Sequence, residues 1–152
     1  MLDTIRTFLT ELTSGNEKRQ FGEDDYRLAA AALLFHVIAV DGAVSAEERE
    51  ALSALLQRRF ELDPGDAATL VSAAETADKE AVDLYGFTSI LKGRLEEAER
   101  ERIVGMMWTL VYADGKVHEF EDNVIWRVAE LLAVSSQARI RLKRSVRDGS
   151  SG

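Results

Sequence analysis

The chain has 152 residues, the size of one ordinary domain that can bury a full core. Its net charge of -8 disfavours nucleic acid and anionic lipid as partners and favours cations or basic proteins. The absence of cysteine excludes disulfides, zinc-thiolate sites and cysteine nucleophiles, and it suits a reducing compartment. No window contains the roughly 20 apolar residues that a membrane-spanning helix needs, and the first residues do not resemble a signal peptide. We therefore expect a cytoplasmic protein without an integral membrane segment.

The apolar pattern predicts an all-α fold, because helical spacing recurs along the chain and its one proline is Pro64. Residues 1–22 are expected to form an N-terminal helix that packs on the core, followed by a polar linker. Residues 23–147 are expected to form the main helical domain, and residues 148–152 a disordered tail. Residues 26–40 are nearly all apolar, which is typical of a central buried helix.

More helices follow this central one and predict a compact bundle of about seven or eight. Ser45 begins one of them, with Glu48 three residues on, as in a capping box. A shorter helix is expected to begin near Asp63 and Pro64, since proline suits the first helical turn. The remaining predicted helices are residues 81–91, residues 96–113, a helix with apolar positions from Val124 to Leu132, and a basic last helix at 135–147. Gly86 and Gly93 leave open where the helical series breaks.

Two segments of the chain repeat each other. Residues 41–48 read DGAVSAEE and residues 114–121 read DGKVHEFE, so the two segments share Asp, Gly, Val and the final Glu. Each follows a long apolar helix and precedes another helix. The simplest account is an internal duplication that produces two pseudo-symmetric halves.

The repeated pattern Asp-Gly-x-Val-x-x-x-Glu equals the second half of a calcium-binding EF-hand loop. Neither copy has the acids that begin such a loop, so one loop alone has too few oxygens. If the two halves face each other, four acids converge on one hard divalent cation: Asp41, Glu48, Asp114 and Glu121. Calcium, magnesium or manganese would suit these oxygens better than zinc, and His118 is a possible additional ligand.

A structural interpretation of the same loops stays open. A glycine after a helix is an ordinary C-terminal cap, and Glu48 can serve only as the capping partner of Ser45. The second copy favours metal, because His118 replaces the serine and is a poor N-cap, yet Glu121 is retained.

Other polar residues offer no catalytic arrangement. His36 lies in an apolar helix with no acid at i+3 or i+4, so it is expected to be a hydrogen-bonded core histidine. Residues 106–112 are expected to pack in the core, and the polar pair Asp83 and Tyr85 is left unassigned. No nucleophile with a neighbouring base and no phosphate-binding glycine loop occurs. We therefore expect a protein that is not an enzyme.

The paired Asp-Gly-x-Val-x-x-x-Glu segments, together with residues 28–34, 81–87 and 127–134, resemble the tellurite-resistance protein B (TerB) family. The resemblance is to its short standalone members and covers about residues 23–135. It implies about seven helices in two pseudo-symmetric halves, a metal site formed by the motif acids, and a role in metal or chemical stress responses without catalysis. By position, the motif acids are Asp41, Glu48, Asp114 and Glu121.

Two functional hypotheses follow. In the first, a divalent cation held by both loops sets the angle between the two halves and so exposes or hides a partner surface. In the second, the chain is a structural scaffold whose acidic surface binds an unknown protein partner, and the loops are only helix corners. A homodimer is left open under both.

Overall fold

Every regular element in the part of the chain that the structure describes is an α-helix, as the sequence predicts. The computed structural model describes residues 22, 25–40, 42–113 and 119–148, apart from the side chains of 119–121. The helices are α1 (Tyr26–Ile38), α2 (Ala46–Phe60), α3 (Pro64–Glu80), α4 (Tyr85–Arg94), α5 (Glu97–Val111), α6 (Glu119–Leu131) and α7 (Ser136–Arg147). The predicted N-terminal helix and residues 149–152 lie outside this range. The predicted duplication stays a prediction.

Helix α1 is the centre of the bundle, which confirms the prediction of a central buried helix. It packs against α2, α3, α4, α5 and α6. Ala29, Ala30, Ala31 and Ala32 are almost fully buried, as are Leu33 and Leu34 beyond them. A helix can be surrounded in this way only when it is apolar around its whole circumference.

Side-chain caps account for where four of the helices begin. Aspartate or serine occupies the N-cap of each: Asp25, Ser45, Asp63 and Ser135. Asp63 directly precedes Pro64, and its Oδ1 accepts a hydrogen bond from the Asp66 amide at 2.7 Å. Each cap satisfies an amide that has no partner within its helix. The predicted starts of α2, α3 and α7 are confirmed.

The structure corrects the predicted helices in the middle of the chain. The helix that begins at Pro64 has 17 residues and is not short. Residues 81–84 connect α3 to α4 instead of continuing the helix, because Ala81 has an extended backbone. Asp83 then accepts a hydrogen bond from the amide of Tyr85, at the start of α4. Gly86 and Gly93 both lie inside α4, so neither glycine marks the break.

Two helices end on residues that are not glycine but adopt a left-handed backbone. Glu61 has φ of 55° after α2, and Ala133 has φ of 62° after α6. Beyond Ala133, the Val134 amide donates to the Ala129 carbonyl at 2.9 Å and closes the helix end. Glycine usually occupies such positions, because a Cβ crowds the backbone there.

The basic helix α7 packs mainly on α5. Its cations are tied to neighbouring helices: Arg141 pairs with Glu101 at 2.9 Å, and Lys143 pairs with Asp122 at 2.9 Å. Arg139 lies over the ring of Trp126 at 5.9 Å. Most of the positive charge of α7 therefore holds the bundle together. Across the described ranges, no helix combines the length and apolarity needed to cross a membrane.

Candidate functional site

The first Asp-Gly loop leaves the end of α1 in a tight turn. The amide of Ala39 closes the helix on the Phe35 carbonyl at 3.0 Å, and the amide of Gly42 donates to the Ala39 carbonyl at 2.9 Å. Gly42 has φ of 100°, a backbone conformation that favours glycine. Val44 is half-buried against the core. Glycine thus permits the turn, as the sequence predicts, and the structure shows that Val44 anchors it against the core.

Glu48 closes the loop through the predicted capping box. Its Oε1 accepts a hydrogen bond from the Ser45 amide at 2.8 Å, and the Glu48 amide donates to Ser45 Oγ at 3.0 Å. This geometry confirms the capping part of the structural interpretation. It engages one of the two carboxylate oxygens, so it does not decide between a cap alone and a cap that also binds metal.

The other predicted ligands lie where the structure describes no side chain. Asp41, Asp114 and His118 are outside the described residues, and Glu121 is in α6 but its side chain is not described. Within the described positions, no group of three or more His, Asp and Glu side chains could hold a metal ion. Because three of the four predicted acids have no described side chain, the shared site stays a prediction.

His36 has a partner that sequence spacing did not reveal. Its Nδ1 lies 2.8 Å from Oδ1 of Asp78 on α3, which confirms a hydrogen-bonded histidine. The side chains are 34% and 13% exposed, so the expectation of a core position was wrong for His36. One signal was available: Asp78 stands four residues after Ala74, in line with the buried face of α3, where an acid needs a partner.

The His36 and Asp78 pair lies in a cleft of about 630 Å³ between the α3–α4 connection and α6. Its apolar wall includes Val82, which is 99% exposed, and Tyr85, which is 63% exposed. Arg127 of α6 lines the opposite side. The unassigned Asp83 and Tyr85 pair therefore starts α4 and shapes the rim of this cleft.

Charge pairs near α1 lower the pKa of two carboxyl groups. The side-chain hydrogen bond from Arg49 lowers the pKa of Glu75 below its ordinary value of 4.5, and Lys79 adds to this effect against the opposing effect of burial. Burial raises the pKa of Asp25, but the hydrogen bonds and charge of Arg27 outweigh it, so this pKa is lowered overall. Both groups are carboxylates at neutral pH and act as structural ties.

The aromatic and methionine residues of α5 pack in the core, as predicted. Met107 and Trp108 are fully buried, and Tyr112 is half-buried with its ring centroid 6.1 Å from that of Trp108. Lys143 Nζ lies 5.0 Å from the Trp108 ring, a cation–π distance. These residues join α5 to α7 and form no cofactor pocket that the structure describes.

The comparison with protein families identifies the chain. The described part of the chain is an all-helical bundle with a glycine turn and a capped glutamate after its central helix. The sequence profile of the family described as tellurite resistance protein TerB matches residues 27–144. The chain therefore belongs to the TerB family. No curated protein and no solved structure matched it.

Proposed function

We propose that the chain is a non-catalytic TerB domain of a metal or chemical stress response that binds one divalent cation through its two Asp-Gly loops. The observation that supports this most is the family match, which covers both loops. The ligands are Asp41, Glu48, Asp114 and Glu121, and His118 is an additional donor. The proposal also places the protein in the cytoplasm.

The residues fit a hard cation. All four main ligands are carboxylates, which calcium, magnesium and manganese prefer. Glu48 is held at the exit of its loop by the bond from Ser45, and that bond engages a single oxygen. The second oxygen is the one that a cation would use. The turn at Gly42 brings the chain from α1 to this position within a few residues.

A bound cation would tie one loop to the other and so fix the two halves of the domain relative to each other. The first loop joins α1 to α2, and the second precedes α6. Binding or release of the cation would change the relative position of these helices. The surface that a partner protein can contact would change as a result. The cation acts in this proposal as a switch and not as a catalyst.

Thermal unfolding of chelator-treated protein tests the proposal. Calcium, magnesium, manganese and zinc are added singly, because a ligand that binds only the folded state raises Tm. At about 100 times the Kd, the expected rise is about 5–10 °C for a domain of this size. The Asp114→Ala variant should lose the rise. No rise with any metal at millimolar concentration would contradict the proposal.

Two variants at the first loop separate capping from metal binding. Glu48→Gln keeps an oxygen that can accept from the Ser45 amide, so the metal-free Tm should change little while the metal-dependent rise is lost. Ser45→Ala removes the other half of the box and should cost about 1 kcal/mol, while the metal-dependent rise is kept. If both variants keep the rise, Glu48 is a cap only.

A scaffold without metal is the second candidate function. Val82 and Tyr85 expose apolar surface beside the cleft that contains His36 and Asp78, and such exposure is typical of a binding surface. Under this proposal an unknown protein partner binds there and the loops are helix corners. A Tm difference between the wild type and Asp114→Ala that is the same with and without metal would favour it.

A further inference from the structure

Helices α2, α5 and α7 enclose a second groove, of about 370 Å³, away from the Asp-Gly loops. Its floor is apolar and consists of Leu55, Met106, Leu142 and Val146. Its rim carries three arginines, Arg58 and Arg59 at the end of α2 and Arg102 on α5. Among the residues that the structure describes, no carboxylate lines the groove. On a chain of net charge -8, this is a local concentration of positive charge around an apolar surface.

The rim arginines differ from most of the other basic residues of these helices. Arg58, Arg59 and Arg102 make no ion pair or side-chain hydrogen bond with any residue that the structure describes. By contrast, Arg141 and Lys143 of α7 are each paired with a carboxylate. A guanidinium stays charged and presents five N–H donors. Three such groups beside one groove are therefore available to acidic groups of another molecule.

The floor of the groove follows a helical stripe. Four residues of α5 line the groove at the spacing i, i+3, i+4 and i+7, over a length of about 10 Å, from Arg102 on the rim through Gly105 and Met106 to Thr109. Because Gly105 has no side chain, the groove is deeper at this position. A Cβ at Gly105 would lie 3.5 Å from Leu142 Cδ2, an ordinary contact, so the fold would accept alanine, which stabilises a helix interior better. The missing methyl group leaves depth for an apolar side chain from outside.

We propose that this groove binds an acidic amphipathic helix of a partner protein. Apolar residues at i, i+3 or i+4, and i+7 of that helix would enter the floor, and flanking glutamates or aspartates would pair with the three arginines. The charge of the groove is complementary to such a helix. It differs from the acidic surface that the sequence suggested as the docking face, and it does not depend on metal binding.

A partner helix fits the charges better than an anionic membrane does. Charges in physiological salt are screened over about 8 Å, so a short acidic helix in the groove interacts with the arginines and little with the rest of the chain. A membrane is an extended negative plane and faces a whole side of a protein with net charge -8. The arginines therefore attract the acidic helix, whereas the net negative charge of the chain repels the membrane.

The test uses the full chain and a fluorescein-labelled synthetic peptide of about four helical turns. Leucines stand at the anchor spacing and glutamates flank them, and a second peptide carries glutamine in place of every glutamate. Fluorescence anisotropy should show saturable binding of the acidic peptide with a micromolar Kd that weakens as salt is raised. The glutamine peptide should bind at least about tenfold more weakly.

Charge-reversal variants locate the binding site. Arg58→Glu and Arg102→Glu change exposed residues of the rim, so the fold should be kept, which an unchanged Tm verifies. Each should weaken the acidic peptide about tenfold or more. The matched control is Arg144→Glu, an equal charge change at an exposed position of α7 that does not line the groove. It should change the Kd by less than about threefold.

Three outcomes would overturn the proposal. One is that the acidic peptide shows no binding at about 1 mM, whether or not vesicles of anionic phosphatidylglycerol bind. Vesicle binding alone, lost in Arg102→Glu, would assign the groove to lipid instead. Another is that Arg144→Glu weakens the peptide as much as the rim variants do, because the effect would then be one of overall charge. The last is equal affinity for the glutamine peptide.

Discussion

Adding the same methyl group at two glycines should have opposite effects on stability. Gly42 has φ of 100°, and a Cβ there would meet no atom within 4 Å, so Gly42→Ala adds backbone strain and no clash. This strain costs about 1–2 kcal/mol. Gly93 lies inside α4 and a Cβ there also meets nothing within 4 Å. Gly93→Ala should therefore stabilise the protein by about 0.5 kcal/mol, since alanine favours the helical backbone of this last turn.

The comparison of the two variants isolates the effect of the folded-state backbone conformation on stability. Both substitutions restrict the unfolded chain in the same way, so this contribution cancels between them. Urea unfolding followed by helical circular dichroism, in chelator, measures both. The midpoint should fall for Gly42→Ala by about 0.5–1 M and rise for Gly93→Ala, with equal m values. A stable or improved Gly42→Ala variant would refute the strained turn, and with it the role assigned to glycine in the first loop.

Two further predictions concern an ion pair and a helix end. Arg49→Met should destabilise the protein at neutral pH by less than about 1 kcal/mol, because the pair with Glu75 is partly exposed. The lowered pKa of Glu75 means that the pair stabilises the fold above pH 4.5 and that this stabilisation is lost as the pH falls through the folded-state pKa. Urea unfolding between about pH 3 and 7 should therefore show the variant and the wild type converging in acid, and a difference that is constant with pH would contradict the pair. Ala133→Gly should stabilise the protein by about 1 kcal/mol, because Ala133 adopts φ of 62°, and a lower Tm in this variant would show that the closure of α6 is not strained.

Much of the fold could be predicted from local signals. The run of apolar residues in α1 has no polar face, so it could only be a buried helix. Caps are equally local: Ser45 with Glu48, and Asp63 before Pro64, define helix starts within a few residues. The start of α4 was missed because it depends on a side chain, that of Asp83, and not on apolar spacing. No glycine marks the end of α6 in the sequence, because Ala133 takes the left-handed position there.

The candidate site could be predicted only in part. The turn at Gly42 and the cap at Glu48 follow from short-range chemistry, and both are confirmed. Convergence of Asp41 with Asp114 depends on the arrangement of distant segments and stays a prediction. The same limit applies to the groove, since a sequence shows that Arg58 and Arg102 are basic but not whether tertiary contacts pair them.

The burial of α1 has a consequence for how the protein opens. Because five other helices cover α1, its amides cannot reach water by fraying or by the loss of one neighbour. Hydrogen exchange in α1 should require the whole bundle to separate, whereas α7 at the edge can detach at lower cost. Gly42 is thus only a few residues beyond the end of the most slowly opening segment, so the turn at Gly42 is attached to a rigid base.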